Sequence, residues 1–181
     1  LSFAAVSGDA HDQAVMAVAY GVDAAGASDG STLLAGRFEG SIQVASGVSV
    51  ISAGGYDGFA ARLVNGAYDW GISVKSFGDD AVKAIAVTTT GEVIVAGRFF
   101  DDGMAEIVEA IAPTLGLNSV EAFVLKLSPM GAPMWLRTFG GAGDDDDIED
   151  IVVDGQGGVV VVGSYRNQVF LDDGDSVPPL Q

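Results

Sequence analysis

Ala35-Gly36-Arg37-Phe38 recurs 61 positions on as Ala96-Gly97-Arg98-Phe99, and returns in altered form 66 positions later as Val162-Gly163-Ser164-Tyr165. Other blocks keep step with it. Asp57-Gly58-Phe59-Ala60-Ala61-Arg62-Leu63 matches Glu121-Ala122-Phe123-Val124-Leu125-Lys126-Leu127 at a spacing of 64. Trp70 matches Trp135 at 65, and Ile85-Ala86-Val87 matches Ile151-Val152-Val153 at 66. Phe77-Gly78-Asp79-Asp80 corresponds to the stretch from Phe139 to Asp145 after a small insertion. Within each unit the order is constant: a Gly-Asp turn, a short apolar run, a Gly-containing turn, a Val-rich run ending in Gly-aromatic, a variable stretch, a Phe-centred run and a Trp-centred run. Matched blocks at one period mark a repeat architecture, in which a single unit cannot bury its own apolar surface.

The runs are short, rich in β-branched residues and bounded by Gly or Asp, which predicts strands. They fall at 14–19, 32–38, 58–64 and 68–74; at 82–87, 92–99, 121–127 and 133–138; and at 148–153 and 158–165. Phe59, Ala61 and Leu63 alternate with Ala60 and Arg62, and Phe123, Leu125 and Leu127 with Val124 and Lys126, so each set lies on one face. Val159 to Val162 is an unbroken apolar run, as expected of a strand buried on both faces. Ser41 to Ser52 reads as a polar hairpin. Its counterpart, Met104 to Ala112, carries helix-forming residues and is read as strand or loop by analogy.

Four antiparallel strands per unit, repeated about an axis, predict an all-β, β-propeller-like fold. The chain then holds about 2.7 blades, with residues 1–74 as the first repeat, 75–139 as the second and 140–181 as a partial third; the first strand could instead complete a preceding blade. Propellers close with about four to eight blades. A shorter arc leaves faces and strand edges open, so the expected partners are neighbouring blades of the same or a longer chain, a protein partner, or further copies in a homo-oligomer. The N-terminal LSFAAVSGDAHDQ has no Met and no positively charged start, so it reads as the interior of a longer precursor and not as a signal peptide.

Composition narrows the function. The 181 residues are 49% hydrophobic and 18% charged, enough for a packed core. Eight Lys and Arg stand against 25 Asp and Glu, for a net charge of −17, which argues against nucleic acid and anionic membrane partners. No run of eighteen apolar residues occurs, so no membrane insertion is expected. The absence of Cys excludes disulfides, thiolate metal sites and Cys nucleophiles, and a single His excludes a multi-histidine site.

At this point the residues resemble the secreted bacterial β-propeller repeat proteins, often of seven-bladed type. Trp135-Leu136-Arg137-Thr138-Phe139-Gly140-Gly141-Ala142-Gly143-Asp144-Asp145 fits their Trp and aromatic-Gly-Gly-x-Gly-Asp-Asp pattern. The run from Ile151 to Gly163 fits the apolar-Val-Asp and Val-rich-Gly blocks, and Glu121 to Leu127 the Phe-Val-x-Lys-Leu block, with Tyr56 to Leu63 as its first-unit version. Thr88-Thr89-Thr90 departs from the usual Asp-containing turn, and Ala24 to Asp29 is extra. The resemblance covers most of the chain. It implies export to the periplasm, cell surface or medium and a scaffold or binding role, and its motif residues are turn and core positions that specify no activity.

The repeated positions Gly36, Phe38, Phe59, Trp70, Gly97, Phe99, Phe123, Trp135 and Gly163 are therefore read as structural. Asp144, Asp145, Asp146 and Asp147, with Glu149 and Asp150, form the sharpest charge cluster. One reading is a calcium site, since calcium takes several carboxylate oxygens; the other is a Gly-Asp turn whose side chains cap backbone N–H groups. Asp79 and Asp80 hold the matching place one unit earlier, which favours the turn. Asp101 and Asp102, with Asp172, Asp173 and Asp175, follow the Gly-aromatic strands and predict an acidic rim. Residues 140–181 hold ten acids and one Arg, a local charge of −9.

Trp70 and Trp135 are read as packing between sheets, with carbohydrate stacking as the competing role. Arg37 and Arg98 recur and are expected to brace an edge or a carboxylate. His11 lies beside Asp9 and Asp12, and Ser7 is near, yet Gly-x-Ser-x-Gly is absent, so a solvated turn histidine is expected. Gly140 to Gly143 precedes a strand and lacks the Lys of a phosphate loop. No spacing singles out a carboxylate pair for glycoside hydrolysis. No catalytic residue is predicted. The expected function is a non-catalytic structural or protein-interaction module. The alternatives are a carbohydrate- or substrate-recognition module of a larger extracellular hydrolase, and a calcium-stabilised adhesin or filament subunit.

Overall fold

The computed structural model describes residues 8–108, 118–141, 145–166, 169–171 and 176–177. Asp144, Asp172, Asp173, Asp175 and residues 109–112 of the variable stretch from Met104 to Ala112 lie outside them. Among the described residues there is no helix, and the ladders are antiparallel. The first sheet is a meander of β1 (Gln13–Val22), β2 (Ser28–Phe38), β5 (Asp57–Val64) and β6 (Ala67–Lys75), with a hairpin, β3 (Ser41–Ala45) and β4 (Val48–Ile51), inserted before its third strand. The second sheet repeats the pattern with β7 (Ala81–Val87), β8 (Val93–Asp101), β10 (Ser119–Leu127) and β11 (Pro133–Gly140). A third unit begins as a hairpin of β12 (Asp147–Val153) and β13 (Val159–Ser164).

The units are not self-contained sheets of four. The short β9 (Glu106–Ile107), from the second unit's variable stretch, pairs with β6 of the first sheet. In the same way β14 (Val169–Leu171) pairs with β11 of the second sheet, and β15 (Ser176–Val177) with β14. The first sheet thus has five strands and the second six.

Register explains the repeated glycine. Gly36 lies opposite Val15, Gly97 opposite Val82 and Gly163 opposite Ile148. Immediately beyond each partner the ladder shifts by one residue, with Met16, Lys83 and Glu149 bulged out. The bulge brings a carbonyl against the glycine. A Cβ there would lie 1.9 Å from the Ala14 oxygen, 2.1 Å from that of Ala81, or 2.0 Å from that of Asp147. No side chain fits, so all three positions are Gly for one steric reason. A second bulge recurs where β5 meets β6 and where β10 meets β11, leaving out Asp69 and Met134.

Two apolar layers join the units. Leu33, Ala35 and Val74 of the first sheet pack on Val82, Ile85, Val95, Phe99 and Phe123 of the second. Ala84, Ile94, Ala96 and Val124, on the second sheet's other face, pack on Ile148 and Ile151 of the β12–β13 hairpin. Phe99 and Phe123 meet at 6.3 Å between ring centres. Phe38 and Phe59 meet at the same distance in the first unit, beneath the β3–β4 hairpin. That hairpin is less polar than the sequence suggests: Ile42 and Val44 are buried on the first sheet.

One expectation is corrected. The run from Val159 to Val162 is not buried on both faces: Val160 and Val162 are exposed, because no described residue packs on the outer side of β13. An apolar run reports the surroundings for which a strand is suited, and here only one side of the hairpin is covered.

Candidate functional site

Each junction between units turns on a buried acid. The Asp80 N–H donates to the Tyr56 carbonyl at 2.6 Å, and its Oδ1 accepts from Ser76 Oγ and from the Phe100 N–H, both at 2.8 Å. The Asp146 N–H donates to the Val120 carbonyl at 3.0 Å, and its Oδ1 accepts from the Arg166 N–H at 3.0 Å. Tyr56 and Val120 are repeat equivalents, as are Phe100 and Arg166, so the two turns share one bonding scheme. The carboxylate ties the entrance of one unit to the residue directly after its Gly-x-aromatic motif.

A second acid stands behind the first. Asp57 opens β5 fully buried, and its Oδ2 accepts from the Ala53 N–H at 2.8 Å. Burial pushes its carboxyl up to about 6, against the lowering by the Ala53 amide and the Lys75 charge. Burial also pushes Asp80 up to about 7; hydrogen bonds from Phe100 and Ser76 oppose the shift and the Asp57 charge adds to it. Asp57 Oδ1 and Asp80 Oδ2 receive no hydrogen bond from the described residues, which suits a protonated acid better than a carboxylate. The equivalent of Asp57 is Glu121, whose Oε1 accepts from Ser119 Oγ at 2.6 Å. Its longer arm needs room. A Cβ on Gly140 would fall 1.0 Å from Glu121 Oε2, and the residue equivalent to Gly140 beside Asp57 is Lys75. The Asp-to-Glu and Lys-to-Gly exchanges therefore compensate in volume.

The described aspartates of the sharpest cluster make separate contacts. Asp144 lies outside the described residues. Asp145 is exposed and bridges to Val120 through its backbone. Asp146 is buried in the turn. Asp147 is held by Lys83 Nζ at 2.5 Å, with Arg98 Nη1 at 3.7 Å, and Glu149 shares the same Lys83 at 2.7 Å. Burial raises the Asp147 carboxyl, while Lys83 pulls it back. A cleft of about 350 Å³ opens here, lined by Arg98, Val120, Asp145, Asp146, Asp147 and Arg166 among others. Its walls carry both signs of charge, so a cation entering it would compete with two guanidinium groups. Among the described residues no three potential metal-ligating side chains converge.

The remaining sequence candidates take local roles. Trp70 is buried between the sheets, and its Nε1–H donates to the Pro129 carbonyl at 3.0 Å beneath the β10–β11 turn. Trp135 is half-buried against the hairpin layer. Arg37 stacks on the Tyr56 ring at 4.2 Å, while its equivalent Arg98 faces Asp147. Asp101 and Asp102 accept from the N–H groups of Gly103, Met104 and Phe77. His11 is exposed, with Nδ1 2.9 Å from Asp9, which raises its pKa. Two features escaped the sequence analysis: the buried acids Asp57 and Glu121, and Lys83 at the bulge. The first had a signal, an acid at the same place in two otherwise apolar blocks. The second had none, because Lys83 meets Asp147 across a joint that no repeat match reveals.

No family model matches the chain, and no curated protein matches it.

Proposed function

We propose that the chain is a secreted or surface-exposed, non-catalytic segment of the β-propeller repeat type, serving as a structural and protein-interaction module. The observation that carries this reading is the interlocking of units: β9 of the second unit completes the edge of the first sheet, and β14 of the third unit completes the second. Such an arrangement makes each unit the binding partner of the next. The chemistry of the acidic turns supports it too, since Asp80, Asp146 and Asp147 all hold protein groups. Export rests on the repeat resemblance alone.

The test is protease shaving of intact producing cells, together with turnover assays of the purified chain on polysaccharide, peptide and ester panels. Release of peptides from this chain, with no turnover, is expected. A strictly cytoplasmic location defeats the export half of the proposal. Turnover abolished by substituting one carboxylate defeats the non-catalytic half.

A further inference from the structure

Among the described residues, both ends of the stack expose the surfaces that its internal joints bury. Pairing fixes the equivalence: Val18 lies opposite Leu34, Ile85 opposite Val95, and Ile151 opposite Val161. At each internal joint the first strand of the later unit packs on the first strands of the earlier one, β7 on β1 and β2, and β12 on β7 and β8. The later unit contributes Ile85 or Ile151, both buried. The earlier unit contributes Ala17, Ala19, Leu33 and Ala35 at the first joint, and Ala84, Ala86, Ile94 and Ala96 at the second.

The positions on the third unit that correspond to these donors are Asp150, Val152, Val160 and Val162. The three valines are 57%, 59% and 61% exposed. At the other end, Val18 and Tyr20 hold the places of Ile85 and Val87, and are 63% and 76% exposed. The β3–β4 hairpin does not occupy this place; it sits over β5 and β6. One molecule therefore carries both halves of a joint that it makes twice internally.

We infer that a second copy of this chain docks head to tail, with β1 of one copy packed on the β12–β13 hairpin of the other, continuing the internal stacking. The inference rests on the interaction-module reading and names its partner. A head-to-tail contact is heterologous, so it propagates into a ring or a filament. Asp150 puts a charge on the receiving face, where the internal joints have Ala17 and Ala84. Its desolvation weakens the contact, so Asp150→Ala strengthens it.

The experiment is light scattering of the full chain over a concentration series, with Val18→Asp and Val160→Asp variants whose folding is checked by melting. Wild type should gain mass with concentration. Each variant alone should stay monomeric, since every joint then lacks one half. An equimolar mixture should form one-to-one dimers, because each variant keeps the half that the other has lost. Tyr20→Asp and Val162→Asp serve as the second pair if either first variant misfolds. A wild type that is monomeric throughout overturns the inference and leaves the interaction-module reading standing. Association surviving in either single variant overturns it as well, as does failure of the two variants to pair while wild type associates. Catalytic turnover by the chain strikes the module reading and leaves the mass measurements as they are.

Discussion

Asp57 and Asp80 set the pH response of the fold. Both titrate near 4 when unfolded and are raised in the folded chain, to about 6 and about 7. Between those values the folded state holds more protons than the unfolded one. Stability is then highest below about pH 4 for this pair and falls as pH rises through 6 and 7. Asp80→Asn keeps an oxygen for the Ser76 and Phe100 donors and cannot ionise. It should flatten the fall and leave the protein more stable than wild type at pH 8, by roughly 4 kcal/mol at most. Urea midpoints from pH 4.5 to 8 check this; a wild-type slope kept in the variant refutes it. A second prediction concerns the repeated glycine. Gly97→Ala puts a methyl against the Ala81 carbonyl and should cost about 1–3 kcal/mol or more. Gly155→Ala, where a Cβ meets nothing within 4 Å, should be close to neutral in the same melts.

Strand β9 is two residues long, yet Ile107 is fully buried between the sheets and pairs with Val74 at the edge of the other unit. Ile107→Ala should therefore destabilise by about 2–5 kcal/mol and loosen amide protection at Lys75. Ile51→Ala, on the exposed strand β4, should change stability by less than about 0.5 kcal/mol. Hydrogen exchange and melting together measure both. The same contrast shows what the sequence could disclose. The strands of the two meanders and the β12–β13 hairpin were legible because period two and Gly-Asp boundaries are local signals. So were the core phenylalanines, through their spacing. The insertions were not, because β9 and β14 owe their form to a sheet edge in another unit, and no local pattern encodes that edge. The Val159–Val162 run misled for a related reason: it states that the strand suits apolar cover, and only one face receives it. Of the candidate site, the acidic turn was legible as a turn from the Asp79-Asp80 counterpart, whereas the Lys83–Asp147 pair across the joint was not.

For the molecule as a whole, charge and apolar surface oppose each other in a way that salt can separate. At −17, with 25 acids against eight bases, repulsion outweighs the few ion pairs such as Lys83–Asp147 and Lys126–Glu92. Raising ionic strength from about 0.01 to about 1 M shortens the screening length from about 30 to about 3 Å. Screening therefore removes more repulsion than attraction. The Val160→Asp chain, which should not associate, ought to melt higher in salt. Head-to-tail contact should respond in the same direction and for an added reason: two copies of like charge approach each other, and the joint positions are valines and a tyrosine, with Asp150 beside them on the receiving face. Wild-type mass at fixed concentration should thus rise with salt. Were the contact made by ion pairs, it would fall, as screened pairs do. Light scattering across a sodium chloride series, run beside melts of the monomeric variant, distinguishes the two, because the variant reports screening of the fold without the joint.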